Sequence, residues 1–245
     1  MSFPRAVLAL AGATVVATAT TGLLPATAHA AVACTEAALI TAVNEANAAG
    51  GGVVTLTPGC TYTLTAAHGN DGVNGPTGLP IITAPITLEG NANTITRSGA
   101  SNFRIAQVST TGDLTLKAVT LSGGHAATNG GGILNFGAVT LNGSELSENA
   151  ADGTGGGIYS TGGAAAAKFT SSNVKNNTAH QAGGIASDRA TLTLASSTVN
   201  GNAAIINPGG IYHIAGTVTL DSASVTANTP TNCSGSPSPV PGCTG

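Results

Sequence analysis

The chain has 245 residues, of which 42% are hydrophobic and only 7% are charged, and its formal net charge is −3. Disordered chains are rich in charge and poor in apolar residues, so this composition indicates a folded protein. The 35 glycines do not recur at every third position, which excludes a collagen helix. Nucleic acids and anionic membrane surfaces bind basic proteins, and the slightly acidic balance argues against both as partners.

The N-terminus is typical of a secretory signal peptide. An apolar run follows Arg5, and Ala28-His29-Ala30 matches a small-x-small cleavage site. We therefore expect residues 1–30 to be removed and the mature chain, residues 31–245, to be exported without inserting into a membrane. Two alternatives stay open: the apolar run is retained as a membrane helix, or Cys34 is lipidated.

An amphipathic helix is predicted directly after this segment, within residues 31–51. Thr35 has the side chain of an N-cap, and three consecutive glycines follow the segment at 50–52. The apolar residues that share one helical face are Leu39, Ala42, Val43 and Ala46. We expect this helix to cover the open end of the domain that follows, because exposed strand edges and cores need covering.

The middle of the chain is a sequence repeat. Gly-Gly-Ile occurs four times, and an apolar strand segment, a further apolar residue and an asparagine follow it each time. The four isoleucines, spaced by 25, 27 and 26 residues, are Ile133, Ile158, Ile185 and Ile211. Units rich in Gly, Thr, Val and Ser disfavour helices, and three short strands with their turns take about 25 residues. The repeat therefore predicts a parallel β-helix rather than a propeller, whose blades need about 40–45 residues.

The recurring asparagines are Asn149, Asn177, Asn202 and Asn228. Stacked in register, each side-chain amide can donate to one neighbouring coil and accept from the other. Asparagine also tolerates the left-handed backbone of a sharp corner. We interpret these residues as a structural ladder rather than as catalytic groups, and we expect the Gly-Gly pairs to supply positive φ at another corner.

Four cysteines in an exported chain indicate disulfides, and three pairings are possible. Proximity in sequence favours Cys34–Cys60, which would link the helix to the first coil, and Cys233–Cys243, which would close the C-terminal end. Zinc is the alternative, although no pair has the Cys-x2-Cys spacing of a structural site. We expect no metal and no cofactor.

The alternation of Gly-Gly-Ile segments with apolar-x-x-Asn segments resembles the repeats of polymorphic outer-membrane proteins and of secreted β-helix proteins of the pectin-lyase-like superfamily. The segment ITLEGNANTIT at 86–96 is similar to the opening coils of that superfamily. The resemblance covers about residues 35–233. It implies an all-β fold, a right-handed parallel β-helix of about seven coils over residues 52–230, with a Ser/Pro/Gly-rich tail at 231–245.

That superfamily includes polysaccharide lyases and hydrolases, and hydrolysis needs carboxylates that face each other across one sugar. Aligning the repeats shows which residues share an outward column. One such column reads Glu89, Lys117, Asn142, Thr170, Ala195 and Asp221. Two other columns place Glu145 and Glu148 among uncharged residues. No column has acids on adjacent coils, so no catalytic residue is assigned.

Two looser clusters remain. His68 and Asp71 lie in a Gly-rich insertion at 66–79, which we expect to be a solvated loop, with a functional loop as the alternative. Acidic residues on one coil could hold Ca²⁺ weakly, although we expect them to be scattered solubilising charges. They are Glu145, Glu148 and Asp152.

Two outward columns offer binding surfaces. The residues after the four Gly-Gly-Ile motifs are Leu134, Tyr159, Ala186 and Tyr212. Tyr159 and Tyr212 would lie two coils, or about 10 Å, apart, a spacing that suits stacking on alternate sugars. The alternative is an apolar column under a loop or at a strand corner. The residues of the second outward column are Thr87, Thr115, Thr140, Lys168, Thr193 and Thr219. Rows of threonine can bind ice, but we expect this column to reflect the preference of threonine for β-strands.

These observations predict a secreted, non-catalytic β-helix protein of the cell surface or extracellular space that acts in adhesion or glycan recognition. The expected partner is an extracellular polysaccharide or another cell-surface component. The alternative is a polysaccharide lyase or hydrolase whose site lies in a loop.

Overall fold

The computed structural model describes Met1 and residues 30–245, so the expected signal peptide lies almost entirely outside the described residues. The described chain contains one helix, α1 (Glu36–Ala48), and short strands. In chain order the strands are β1 (Gly52–Thr55), β2 (Thr61–Leu64), β3 (Gly69–Asn70), β4 (Pro76–Thr77), β5 (Pro85–Arg97), β6 (Ala106–Val108), β7 (Asp113–Ser122), β8 (His125–Ala126), β9 (Ile133–Asn135), β10 (Ala138–Asn142), β11 (Glu145–Ser147), β12 (Ala150–Thr154), β13 (Ile158–Thr161), β14 (Ala166–Thr170), β15 (Asn173–Lys175), β16 (Thr178–Gln181), β17 (Ile185–Ala195), β18 (Thr198–Asn200), β19 (Ala203–Ile206), β20 (Ile211–Asp221) and β21 (Ser224–Thr226).

Helix α1 forms where the sequence predicts it. The Thr35 side chain accepts a hydrogen bond from the backbone N–H of Ala38, which satisfies one of the unpaired donors of the first turn. Leu39, Val43 and Ala46 are buried against the strands of the first turns, β1, β2 and β5. The helix therefore covers the N-terminal end of the core. Among the described residues, no helix has both the length and the apolar character needed to cross a membrane.

The strands coil into a parallel β-solenoid with three faces. The first face stacks β1, β5, β7, β10, β14, β17 and β20. The second face stacks β2, β5, β7, β11, β15, β18 and β21. The third face stacks β6, β9, β13, β17 and β20. The longest strands turn a corner and contribute to two faces.

The parallel β-solenoid class is confirmed, but the number of complete turns is smaller than expected. Within the described residues five turns, rather than seven, have a strand on all three faces. In the first turn, the third side is a loop that contains the short antiparallel pair β3–β4. The last turn ends after β21, where the C-terminal tail, residues 231–245, covers the core.

The repeat spacing determines the register of the stack. The isoleucines of the four Gly-Gly-Ile motifs pair directly on the third face, and all four are fully buried. The outward threonine column and the column that begins at Glu89 also pair residue by residue on the first face. A short fourth ladder of β8, β12, β16 and β19 follows the second face in each middle turn, and the sequence analysis did not predict it.

The Gly-Gly pairs have a different role from the one expected. None of them has a positive φ; the left-handed corner lies one residue earlier, at Gly130, Gly155 and Ala182. The first glycine of each pair instead lies against the backbone of the next turn. A Cβ on Gly183 would lie within 3 Å of three backbone atoms of Ala203. The pairs are thus required for close approach of successive turns.

We expect Gly183→Ala to destabilise the protein by about 2–3 kcal/mol, because the added methyl group overlaps rigid backbone rather than a movable side chain. Gly163→Ala is the matched control, since nothing lies within 4 Å of the position its Cβ would occupy. Urea denaturation of both variants checks this prediction. Equal stability of the two variants would contradict the close-approach explanation.

Both ends of the solenoid are covered and cross-linked. The structure joins Cys34 to Cys60 at the N-terminal end and Cys233 to Cys243 at the C-terminal end. These are the pairings that sequence proximity favours, and no described cysteine is free. In the tail, Val240 is buried as part of the hydrophobic core.

Candidate functional site

The four repeat asparagines stack in the solenoid interior. Each is almost fully buried, and the bonds of Asn202 show the pattern. Its Nδ2 donates to the carbonyl oxygen of Val174 and to Oδ1 of Asn228, both at 2.9 Å. Its own Oδ1 accepts from the backbone N–H and from Nδ2 of Asn177, again at 2.9 Å. Every polar atom of the side chain is therefore satisfied by an adjacent turn.

The left-handed corner lies beside the asparagines and not on them. The residues with positive φ are those immediately before each asparagine: Glu148, Asn176, Gly201 and Ala227. The expectation that the asparagines themselves adopt this conformation is therefore wrong. Their side chains instead point inward and hydrogen-bond to both neighbouring turns.

The ladder extends beyond the predicted residues. Oδ1 of Asn232, in the tail, accepts from the backbone N–H and Nδ2 of Asn228, and Asn232 thus ends the ladder. A second ladder, of buried serines, was missed. Oγ of Ser144 accepts from Val119 N–H, and Oγ of each following serine accepts from the N–H of the serine one turn earlier. Its members are Ser144, Ser172 and Ser197.

The two predicted binding tyrosines share one column of the third face. Tyr159 and Tyr212 each pair with Ala186 of the turn between them. Both tyrosines are half-buried, whereas Leu134 and Ala186 of the same column are buried completely or nearly so. The column is therefore covered at Leu134 and Ala186, and the two tyrosines are its partly exposed members.

Polar groups surround the Tyr159 hydroxyl. Asp188 is bound by Arg189, whose Nε lies 3.3 Å from Oδ1, and by the Thr161 hydroxyl at 3.3 Å. Burial is the largest influence on the Tyr159 pKa and raises it; Asp188 raises it further, while Thr161 and Arg189 oppose the shift. We refer to Tyr159, Thr161, Asp188 and Arg189 as the tyrosine cluster. The sequence analysis identified only Tyr159 of these four.

Four acidic residues of the solenoid surface each contact a basic residue. Within residues 30–245, no three His, Cys, Asp or Glu side chains converge so that they could hold a metal ion. The weak Ca²⁺ site considered at Glu145, Glu148 and Asp152 is not assembled, because two of its members turn to basic neighbours. The nitrogen–oxygen distances of the four acid–base contacts are 3.2 Å for Glu89–Lys117, 2.8 Å for Glu145–Lys175, 3.0 Å for Asp152–His125 and 3.3 Å for Asp188–Arg189.

The insertion at 66–79 is anchored to the third face through its second half, where residues 77–79 are buried, while residues 66–68 and 70–73 are exposed, as expected of a solvated loop. Arg104, only 1% exposed, reaches under it. Its guanidinium donates to the carbonyl oxygens of Asn74, Gly75 and Asn129 at 2.6, 2.9 and 3.3 Å. Burial lowers the Arg104 pKa to about 10, against the opposing effect of Asp71. The guanidinium therefore remains charged at neutral pH.

Asp71 shapes the tip of the same insertion. Its carboxylate accepts from the backbone N–H groups of Val73 and Asn74 and from the Gln107 side chain. Burial raises the pKa of Asp71, but these hydrogen bonds outweigh it and place the pKa well below its usual range. The insertion is thus a fixed element of the third face.

Glu36 joins helix α1 to the start of the insertion. Its carboxylate accepts from the Thr65 hydroxyl and backbone N–H, from Ala66 N–H, and contacts His68 Nε2 at 2.8 Å. Burial raises the Glu36 pKa, but the hydrogen bonds from Thr65, His68 and Ala66 outweigh it and lower the pKa from 4.5 to about 2. His68 is therefore engaged in a structural contact.

We expect Glu36→Gln to lower the free energy of unfolding by about 1–2 kcal/mol at pH 7, since solvent screening weakens bonds near the surface. Because the folded pKa is depressed, this stabilisation is complete above pH 4.5 and is lost as pH falls towards 2. Denaturation curves from pH 7 to pH 2.5 should therefore converge for wild type and variant. Glu45→Gln, on the exposed side of α1, is the control, and a pH-independent difference would contradict the prediction.

Comparison with known proteins gives no relative: no family model matches the chain, and no curated protein and no solved structure is similar to it.

Proposed function

We propose that the mature chain is an exported, non-catalytic recognition protein of the cell surface or extracellular space, and that its third face binds a glycan. A β-solenoid whose two ends are closed by disulfides fits an extracellular protein, because disulfides persist in oxidising compartments. The repeat pattern further supports placing the chain among the right-handed β-helix proteins of the pectin-lyase-like superfamily, and that assignment is part of the proposal.

The observation that carries the proposal is the tyrosine cluster. An aromatic ring, a hydroxyl, a carboxylate and a guanidinium lie side by side, and Tyr212 follows two turns along the same column. Sugar rings stack on aromatic faces, and neighbouring sugar hydroxyls bind bidentate carboxylate and guanidinium groups. Arg189 is 68% exposed, so its unbonded N–H groups are accessible to such a ligand.

The test is a glycan array probed with the exported chain and three variants. Tyr159→Ala combined with Tyr212→Ala, and separately Asp188→Asn, should each weaken binding about tenfold or more, because stacking and charge-assisted bonds are lost. Lys168→Ala, on the first face, is the control and should bind normally. Unimpaired binding by the double tyrosine variant would refute the assignment of this face, and no binding to any glycan would refute the proposed ligand.

The alternative, a polysaccharide lyase or hydrolase, is tested in the same preparation. Purified chain is incubated with pectin-type polymers, with and without Ca²⁺, and reducing ends and unsaturated products are measured. We expect no turnover, since the surface carboxylates lie beside cations rather than facing each other across a sugar. Unsaturated oligosaccharides that accumulate with protein concentration would overturn the non-catalytic assignment.

A further inference from the structure

His213 is a buried histidine that none of the sites above uses. It lies on β20 at the third face, in register with Ser187 of the preceding turn, and is only 4% exposed. Its Nδ1 is 3.1 Å from the carbonyl oxygen of Pro239. A carbonyl oxygen can only accept, so Nδ1 carries the proton. Nε2 is buried and has no hydrogen-bond partner within residues 30–245. The ring is therefore neutral, with its lone pair on a buried nitrogen that accepts no hydrogen bond from the described residues.

The same ring lies where the C-terminal tail binds the last turn. The backbone N–H of His213 donates to the Ser236 hydroxyl at 3.2 Å, and its carbonyl accepts from Ser238 N–H at 3.0 Å. The Ser236 and Ser238 hydroxyls donate to the carbonyl oxygens of Ile211 and Ile214, at 3.1 and 2.6 Å. Residues 236–239 thus form a short segment that is attached along β20 and pinned at its end by the imidazole.

No charge near the ring compensates a proton. The tail, residues 231–245, contains no Asp, Glu, Lys, Arg or His. On the preceding turn the residue in register is the uncharged Ser187, and the charges that follow it, Asp188 and Arg189, bind each other. On β20 itself, Asp221 lies at the far end of the strand. Burial is accordingly the only cause acting on the pKa of His213, and it lowers it.

We propose that His213 is a pH switch for the C-terminal end: the neutral ring holds residues 236–239 on β20, and protonation of Nε2 releases them. A proton on Nε2 would place a charged donor in a dry position without an acceptor for as long as the tail stayed closed, which is unfavourable. Opening the tail admits water to the ring and removes that cost. Cys233–Cys243 keeps the released segment tethered, so the change is reversible.

The direction of the pH dependence follows from the lowered pKa. The open form binds the proton more readily than the closed form, so the closed form loses stability as pH falls below about 6.5. For a single proton, the ratio of open to closed tail rises up to tenfold for each pH unit. The ratio stops rising once the pH is below the pKa of His213 in the closed form, because both forms are then protonated.

Two measurements on the unmodified chain test the switch. Long-range ¹H–¹⁵N NMR spectra should show the proton of His213 on Nδ1 at pH 7.5 and a titration midpoint below 6.5. Hydrogen exchange, corrected for the intrinsic pH dependence of exchange, should show the amides of Ser236 and Ser238 opening progressively between pH 6.5 and 4.5; the other two residues of the segment are prolines and have no amide hydrogen. A proton on Nε2, or a midpoint at or above 6.5, would overturn the proposal even if no variant folds.

The variant His213→Asn places an amide near the position of Nδ1 and does not titrate. We expect its tail to open to the same extent at every pH in this range, whereas His180→Asn, at an exposed position, should behave as wild type. Acid-dependent opening that persists in His213→Asn would show that another group is responsible and would overturn the proposal.

Discussion

Arg104→Ala should destabilise the protein by about 3–5 kcal/mol. The substitution removes one of the largest fully buried side chains and leaves the carbonyl oxygens of Gly75 and Asn129 without a side-chain donor, while the Asn74 carbonyl keeps only its bond from the Thr128 hydroxyl. An unsatisfied buried carbonyl costs about 1–3 kcal/mol; these carbonyls are partly buried, so most of the loss comes from the cavity left by the side chain. Guanidinium denaturation monitored by circular dichroism measures the total, and limited proteolysis within 66–79 reports whether the insertion is released first.

Two further substitutions separate charge from geometry at Arg104. Arg104→Lys keeps the positive charge but has one donor group instead of a planar fork, so we expect it to recover less than half of the lost stability. Lys168→Ala, at an exposed position of the first face, controls for the loss of a cation and should change stability by less than about 0.5 kcal/mol. Full recovery by lysine would show that charge, and not the set of carbonyl bonds, holds the insertion.

Asn202→Ala should destabilise the solenoid by about 2–4 kcal/mol. The change leaves two donors of Asn177 and the carbonyl of Val174 without partners in the middle of the stack. Each buried orphan group costs about 1–3 kcal/mol, reduced by local relaxation. Asn200→Ala, two residues away on the exposed side of β18, should be nearly neutral. Thermal melts of the two variants make the comparison.

An isosteric change sharpens this test. Asn202→Asp retains the acceptor for Asn177 but cannot donate to Val174 or Asn228, and it places a negative charge in the core. We expect it to be at least as destabilising as alanine at pH 7. A melting temperature equal to wild type for either variant would show that the amide bonds contribute nothing to the stack.

The sequence predicts the regular part of this fold because regular features repeat. The spacing of the Gly-Gly-Ile motifs places Ile133 against Ile158, and the same arithmetic pairs Thr193 with Thr219. It does not say which residue of Asn176-Asn177 takes the left-handed corner, since both side chains tolerate it. The repeat spacing also does not reveal the serine ladder, because serine is equally common at exposed positions.

Non-repeating contacts escape such reasoning. Arg104 and Asn74 are 30 positions apart and are joined by a hydrogen bond only because the insertion folds back onto the third face. Asn232 follows Asn228 by four residues instead of a full period, so nothing in the spacing assigns it to the ladder. Asp188 and Arg189 join Tyr159 through the pairing of β13 with β17, whereas only the tyrosine belongs to a column that the repeat makes visible.

The asparagine ladder makes the turns of this solenoid structurally equivalent to one another. Asn232 offers Asn228 the same two bonds that Asn228 offers Asn202 and that Asn202 offers Asn177. Because Thr178 and Ala203 are register partners, a chain that lacked residues 178–202 would pass from Asn177 to Ala203 in the same geometry and meet the same end structure. Duplication or deletion of one repeat in a gene can therefore lengthen or shorten such a protein by complete solenoid turns. The structures that cover its two ends, helix α1 and the C-terminal tail, stay unchanged.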